Sequence, residues 1–221
     1  MSDPRLTLTG YGFSVYTRAA RMALAAAEAR YSYVECDPFD PVQADGLRDV
    51  HPFGRVPVLE HDGFRLYETA AILHYVAEAL GGAALLPEGT RARARMRQVM
   101  GIADSYVYWP LVRQAVSHGV FRPLEGKAAD PDTLRAGLKP APRVLNALEE
   151  IAAEGLVLRP GVPSLACCQL WPMLDYFAML DQGRALIEAR PALWAWAGAM
   201  RAQDIARATR PDLGQPEGQT T

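Results

Sequence analysis

Apolar and polar positions change their period several times along the chain. Residues 5 to 10 alternate weakly, with Leu6 and Leu8 on one face, which predicts a first strand. Gly10 and Gly12 open a short loop. From Thr17 to Ala29 the run TRAARMALAAAEA consists mainly of strong helix formers and sets Ala20, Leu24 and Ala27 on one stripe of a helix. YSYVE predicts a second strand. The stretch DPFDPVQADGLRDVHPFG, interrupted by Pro38, Pro41 and Pro52, reads as loop and short helix. VPVLE (56–60) and FRLY (64–67) are β-prone runs joined by His61, Asp62 and Gly63, and predict an antiparallel hairpin. Pro57 has no N–H, so that end of its strand is expected to be free on one side. ETAAILHYVAEALGG then places Ala71, Ile72, Tyr75 and Leu80 at helical spacing and stops at Gly81 and Gly82.

Beyond this point the strand pattern does not return. GGAALLPEGT reads as a linker, helices are predicted over roughly 90–119, 131–154, 164–180 and 191–208, and the tail RPDLGQPEGQT is expected to be frayed. A switch from mixed strands and helices to helices alone predicts two domains: an α/β domain over 1–81, a linker over 82–89 and an all-α domain over 90–221.

Composition narrows the function classes. The chain has 221 residues, 50% of them hydrophobic and 22% charged, the profile of an ordinary globular protein with room for two modest cores. With 23 Lys and Arg against 25 Asp and Glu the formal charge is -2, so no global field draws it to nucleic acid or an anionic membrane. Cys36, Cys167 and Cys168 make neither a disulfide framework nor a zinc quartet, and the adjacent Cys167 and Cys168 are expected to be inert packing. His74 and His118 lack a partner at ligand spacing, and no metal is expected. MSDPRLTLTG has neither the basic region nor the apolar core of a leader, and a cytoplasmic location is expected.

Three segments together resemble the cytosolic glutathione transferase superfamily, of serine type. GYGFSVYTRAARMAL is similar to that family's strand-loop-helix opening, with Ser14 at the place of the catalytic hydroxyl. HPFGRVPVLEHDGFRLYETAAILHY is similar to its loop leading to a cis-proline, its hairpin, and the acidic-hydroxyl pair that begins the third helix. GVPSLACCQLWPMLDYF sits where the family has a buried helix of the second domain. The resemblance implies a thioredoxin-like N-terminal domain followed by an all-α C-terminal domain. Two positions depart from the family pattern. His51 stands where Asn is usual, just before the binding loop. Cys167 stands where an aspartate usually completes a capping box with Ser164, so only the Ser164 half is expected to survive.

The implied chemistry is activation of the glutathione thiol. A thiol with a pKa of about 8.5 is mostly protonated at neutral pH. A hydroxyl donor near a helix N-terminus favours the thiolate. The resemblance gives this role to Ser14, with Tyr11 or Tyr16 as the alternative donor; read from the residues alone, Ser14 is a helix cap or a solvated loop serine. No G-x-S-x-G elbow supports a serine hydrolase, and no Cys occupies this loop. By resemblance Arg55 meets the glycyl carboxylate, Val56 beside a cis Pro57 pairs with the cysteinyl backbone, and Glu68 and Thr69 hold the γ-glutamyl group. Arg18 is expected to be structural. Tyr106, Trp109 and Arg113 are the candidates for an apolar second-substrate pocket, with Tyr108 and Phe121 nearby. Trp194 and Trp196 are expected to be core and partly exposed, respectively or in reverse. The implied function is conjugation of glutathione, as co-substrate, to a small apolar electrophile, with hydroperoxide reduction, isomerisation or dehalogenation as variants, in a homodimer. The alternative is a protein of this fold that binds glutathione or a hydrophobic ligand without turnover.

Overall fold

The computed structural model describes residues 6–212, so the predicted tail from residue 213 onward lies outside the described residues. Strand β1 (Leu6–Gly10) is followed by α1 (Val15–Ala26), β2 (Ser32–Glu35), α2 (Pro41–Arg48), β3 (Val58–His61), β4 (Phe64–Tyr67) and α3 (Thr69–Ala79). The four strands form one sheet in the order β2-β1-β3-β4, with β1 parallel to β2, antiparallel to β3, and β3 antiparallel to β4. This is a thioredoxin-like domain.

Local chemistry sets the element boundaries. The first helix begins two residues before the predicted Thr17 because Ser14 caps it. In the hairpin, His61 belongs to β3 and pairs with Phe64, which leaves a two-residue turn at Asp62 and Gly63. Both have positive φ, 50° and 84°, as a turn matched to strand twist requires. The β3 strand begins at Val58 rather than Val56, because Pro57 has no N–H to give to a ladder. Val56-Pro57 is cis.

The helical part begins after a single 3-10 turn (Gly82–Leu85) inside the predicted linker. Helix α4 (Thr90–Ile102) continues without a break into a π-helical segment (Ala103–Phe121) and a last turn, α5 (Arg122–Leu124). Along the π-helical segment Ala103, Val107, Leu111 and Ala115 are buried at a spacing of four, with Val112 and Val116 buried beside them. The predicted helix over 131–154 is two, α6 (Pro131–Leu138) and α7 (Ala141–Glu154), since Pro140 has no N–H to continue the helical hydrogen-bond ladder. Then come α8 (Leu165–Phe177), α9 (Asp181–Glu188), α10 (Pro191–Ala202) and α11 (Asp204–Arg207). Helix α9 has no counterpart in the predicted elements, and the one predicted over 191–208 is broken at the extended Gln203.

Helix α8 is the centre of the molecule. Every residue from Leu165 to Phe177 is buried, Gln169 and Asp175 included, and α1, α4, α10 and the π-helical segment all pack on it. Ser164 caps it by accepting the Cys167 N–H at 3.4 Å. The Cys167 sulfur takes the place of a carboxylate and receives the Trp196 indole N–H at 3.4 Å. Trp196 is thereby buried against Trp171, whereas Trp194 is half-exposed under Arg201. Cys167 and Cys168 are free thiols, and burial pushes both up, as expected of inert packing.

One buried ion pair joins the α/β domain to the helical part. Arg18 on α1 is fully buried, and its Nη2 donates to Asp175 Oδ2 on α8 at 2.9 Å. Its guanidinium lies 4.8 Å from the centre of the Tyr176 ring. Arg210 approaches the same carboxylate at 3.6 Å, so the start of the predicted tail is tied down.

Asp175→Ala strands the buried Arg18 cation and is expected to lower stability by roughly 3–5 kcal/mol in urea unfolding, whereas replacing both partners by apolar residues of similar volume is expected to be much milder. Gly137 lies where α6 crosses the π-helical segment, and an added Cβ would meet Pro110 O at 2.5 Å and Ala115 N at 2.6 Å. Gly137→Ala therefore forces α6 outward, with an expected loss of about 1–3 kcal/mol in the same measurement.

Candidate functional site

Three segments of the α/β domain carry the candidate residues, and the first meets the helical part where Tyr16 packs on Tyr108 and Phe13 on Phe121. The first is the loop from β1 to α1. Gly10 leaves no room for a Cβ because the Thr17 side chain lies against it. Thr17 Oγ1 accepts the Tyr11 N–H at 3.2 Å, and Glu35 at the end of β2 accepts the Gly12 N–H at 2.9 Å and the Tyr33 hydroxyl at 2.8 Å. Ser14 N–H closes the turn on Tyr11 O at 2.9 Å. Ser14 is half-buried at the positive end of α1, and its Oγ accepts the Thr17 N–H at 3.3 Å. That bond uses a lone pair. The Ser14 O–H proton remains able to donate elsewhere, so capping and donation are compatible in one hydroxyl.

The second segment is the arm from His51 to the cis Val56-Pro57 bond. His51 is buried, and its Nδ1 accepts the Phe53 N–H at 3.2 Å. Arg55 is exposed, Val56 half-buried and Pro57 buried. The third is the corner between β4 and α3. Glu68 occupies φ 70° and ψ 114°, a costly conformation for a residue with a Cβ, while its C=O accepts the Ile72 N–H at 3.0 Å. Its side chain is exposed, and Thr69 is buried beside it.

From the helical part, Asp104 on the first turn of the π-helical segment lies beside Tyr16. Gln169 of α8 donates to its Oδ1 at 2.7 Å. Desolvation raises the Asp104 pKa; hydrogen bonds from Gln169 and Tyr16 oppose this, and the Glu68 charge adds to the rise. Tyr16 packs on Tyr108 with ring centres 4.7 Å apart. Burial pushes its phenol well above the ordinary value, the Asp104 carboxylate adds to this by charge and hydrogen bonding, and Arg55 opposes it. Tyr11 is pushed up to about 12, first by burial and then by Asp37, Glu125 and Glu35. Both phenols therefore remain protonated donors at neutral pH.

An aromatic chain extends from the Ser14 loop. Tyr11 meets Phe13 at 5.5 Å and Phe39 at 6.0 Å, Phe13 meets Phe121 at 6.3 Å, and Phe121 meets the buried Tyr176 at 5.1 Å. Arg113 joins it, 5.3 Å over Phe39. Tyr106 and Trp109 lie elsewhere on the π-helical segment, 60% and 61% exposed, and no ring contact links them to this chain among the described residues. Phe13, Phe39 and Asp104 carry no local sequence signal, because only the fold brings them to Tyr11 and Tyr16. No three His, Cys, Asp or Glu side chains converge on a possible metal position among the described residues, and no helix among them is long and apolar enough to cross a membrane.

A thioredoxin-like domain with a serine capping its first helix, a cis-proline before its third strand and an acidic-hydroxyl corner, joined to a helical half, defines a protein of glutathione transferase type. Residues 8–84 match the family described as glutathione S-transferase, N-terminal domain. Glutathione S-transferase F14 of Arabidopsis thaliana is 31% identical over 159 residues, 70% of this chain and 62% of that protein, so the chain spans less than two thirds of this relative. Glutathione S-transferase 4 of Zea mays is 26% identical over 215 residues, 93% of this chain and 92% of that protein. The fold matches the theta class glutathione S-transferase of Xanthomonas axonopodis pv. citri, solved with glutathione bound, with a TM-score of 0.74 at 21% identity, over 96% of this chain and all of that one. Residues 8–84 thus match the glutathione S-transferase N-terminal domain, and the fold of the chain is that of glutathione transferases.

Asp104→Ala removes an acceptor of the buried Gln169 amide, bonded at 2.7 Å, and is expected to lower stability by about 1–3 kcal/mol in urea unfolding.

Proposed function

We propose that the protein is a glutathione transferase that binds glutathione through residues 1–81 and joins its thiolate to a small apolar electrophile held against residues 90–221, with 82–89 as the connection. The observation that carries the reading is Ser14: a hydroxyl at the positive end of α1 that caps the helix through a lone pair and keeps its proton to donate. A sulfur placed before it gains a hydrogen bond that favours the thiolate. Tyr11 and Tyr16 are the weaker candidates. Tyr16 faces Asp104, which competes for its proton, and Tyr11 is surrounded by carboxylates that disfavour an anion.

Glutathione then lies along the three segments. Glu68 faces the γ-glutamyl ammonium, Thr69 and the free amides at the start of α3 face its carboxylate, the Val56 backbone beside Pro57 pairs with the cysteinyl unit, and Arg55 meets the glycyl carboxylate. The electrophile sits past Ser14 toward Phe13 and Phe121. Arg113 belongs to that wall through Phe39, whereas Tyr106 and Trp109, exposed elsewhere on the segment, are left out of it. Apolar walls exclude water from the thiolate; a hydroperoxide held in the same place would be reduced to its alcohol and water as two glutathione molecules are oxidised to the disulfide. We assign the protein to the cytoplasm as a homodimer with a detoxifying role.

A second reading, binding without turnover, draws on one observation: the Ser14 oxygen already serves the Thr17 N–H. Titrating the ultraviolet thiolate absorbance of bound glutathione separates the two. With the wild type the thiol pKa is expected to fall by about a unit or more, and Ser14→Ala to restore it. A bound glutathione whose pKa is unchanged in both proteins would establish the non-catalytic reading. Ser14→Ala is also expected to lower stability by about 0.5–2 kcal/mol through the lost cap, so the comparison is made well below the melting temperature.

A further inference from the structure

His51 lies just before the binding arm in sequence, and the structure sets it between two of the three segments. Its side chain is 2% exposed. Its Nδ1 accepts the Phe53 N–H at 3.2 Å, its C=O accepts the Gly54 N–H at 2.8 Å, and its N–H donates to Leu47 O of α2 at 2.8 Å. These bonds fix the chain from the end of α2 to Gly54, the residue before Arg55. On its other side the imidazole lies 4.8 Å from the Tyr67 ring at 37°. Tyr67 immediately precedes Glu68. One side chain therefore touches both the arm that leads to Arg55 and Val56 and the strand that leads into Glu68 and Thr69.

We propose that His51 is a positioning residue for glutathione, holding the Arg55–Val56 arm and the Glu68–Thr69 corner at the separation one tripeptide can span. The proposal rests on the glutathione-binding reading above. A flexible tripeptide binds best to anchors that are already ordered, because an arm ordered only on binding subtracts its entropy from the affinity. Nδ1 accepts the Phe53 amide only in the neutral ring with the proton on Nε2. Protonation removes that acceptor and sets a second cation beside Arg55. The groups facing the ring are Glu68 at the corner, which favours the imidazolium, Arg55 in the arm, which opposes it, and the Tyr67 phenol on β4. On α2 the Arg48 side chain runs beside Gly54 and pairs with Asp45 at 3.6 Å. Burial is the largest influence and holds the His51 pKa below the ordinary histidine value, so the ring is neutral at neutral pH and charges only as pH falls.

Asparagine can offer a side-chain oxygen to the amide two residues on without titrating. Calorimetric titration of glutathione into the full chain, for wild type, His51→Asn and His51→Leu, from about pH 7.5 to about pH 5, tests the proposal. Wild-type Kd is expected to rise as pH falls below the ordinary histidine range. His51→Asn should match the wild type at neutral pH and lose this acid dependence. His51→Leu should bind about tenfold more weakly at neutral pH, with KM for glutathione rising more than kcat falls in a chlorodinitrobenzene assay. Wild-type affinity in His51→Leu, or an unchanged acid loss in His51→Asn, would overturn it. If circular dichroism shows His51→Leu to be unfolded, the Asn profile decides alone. A wild type that binds no glutathione at any pH sinks the glutathione reading itself.

Discussion

The ion pair between Arg18 and Asp175 is the constraint on which the arrangement depends. A fully buried guanidinium is tolerated only with a fixed anion, and the anion here is supplied by α8, the helix with no exposed residue. The pair sets the rotation of α1 against α8, and with it the direction of the α1 N-terminus. Four residues before Arg18, that N-terminus carries Ser14. The cation over the Tyr176 ring continues the coupling, since Tyr176 meets Phe121 and Phe121 meets Phe13 in the loop beside Ser14. Packing between the two halves and placement of the candidate hydroxyl are thus consequences of one interface.

The candidate residues are held in place by backbone and supporting side-chain contacts. Thr17 and Glu35 fix the Ser14 loop, His51 fixes the arm before the cis-proline, and Gln169 fixes Asp104. Glu68 keeps a positive φ because the hairpin on one side and α3 on the other determine its position. Site strain of this kind is stable only where the surroundings leave no alternative. The same logic explains Cys167. A sulfur replaces the usual carboxylate at the start of α8 and is accommodated because Ser164 and Trp196 supply its polar contacts.

Where expectation and structure part, local chemistry accounts for much of it. Pro140 divides a helix that periodicity alone would join, and Pro57 delays the start of β3. Ser14 moves the start of α1 forward. The winding of Ala103–Phe121 has no such local signature: its apolar spacing of four serves an α-helix and a wider one almost equally, and contact with α6 and α8 accompanies the wider form.

By itself the sequence determined the order of elements, the abrupt change to helices after the third helix, and the positions of Ser14, Pro57, Glu68 and Thr69 at loop and element ends. These follow from short-range effects: side-chain periodicity, missing donors, caps and turns, all set within a few residues. The structure alone decided that Arg18 faces Asp175, 157 residues away, that Asp104 meets Tyr16, that Phe13 and Phe39 meet Tyr11, and that His51 meets Tyr67. Such meetings depend on how the helices rotate and cross, which is fixed by the fit of whole buried faces and by the need to pair every buried charge. No window of neighbouring residues contains that information.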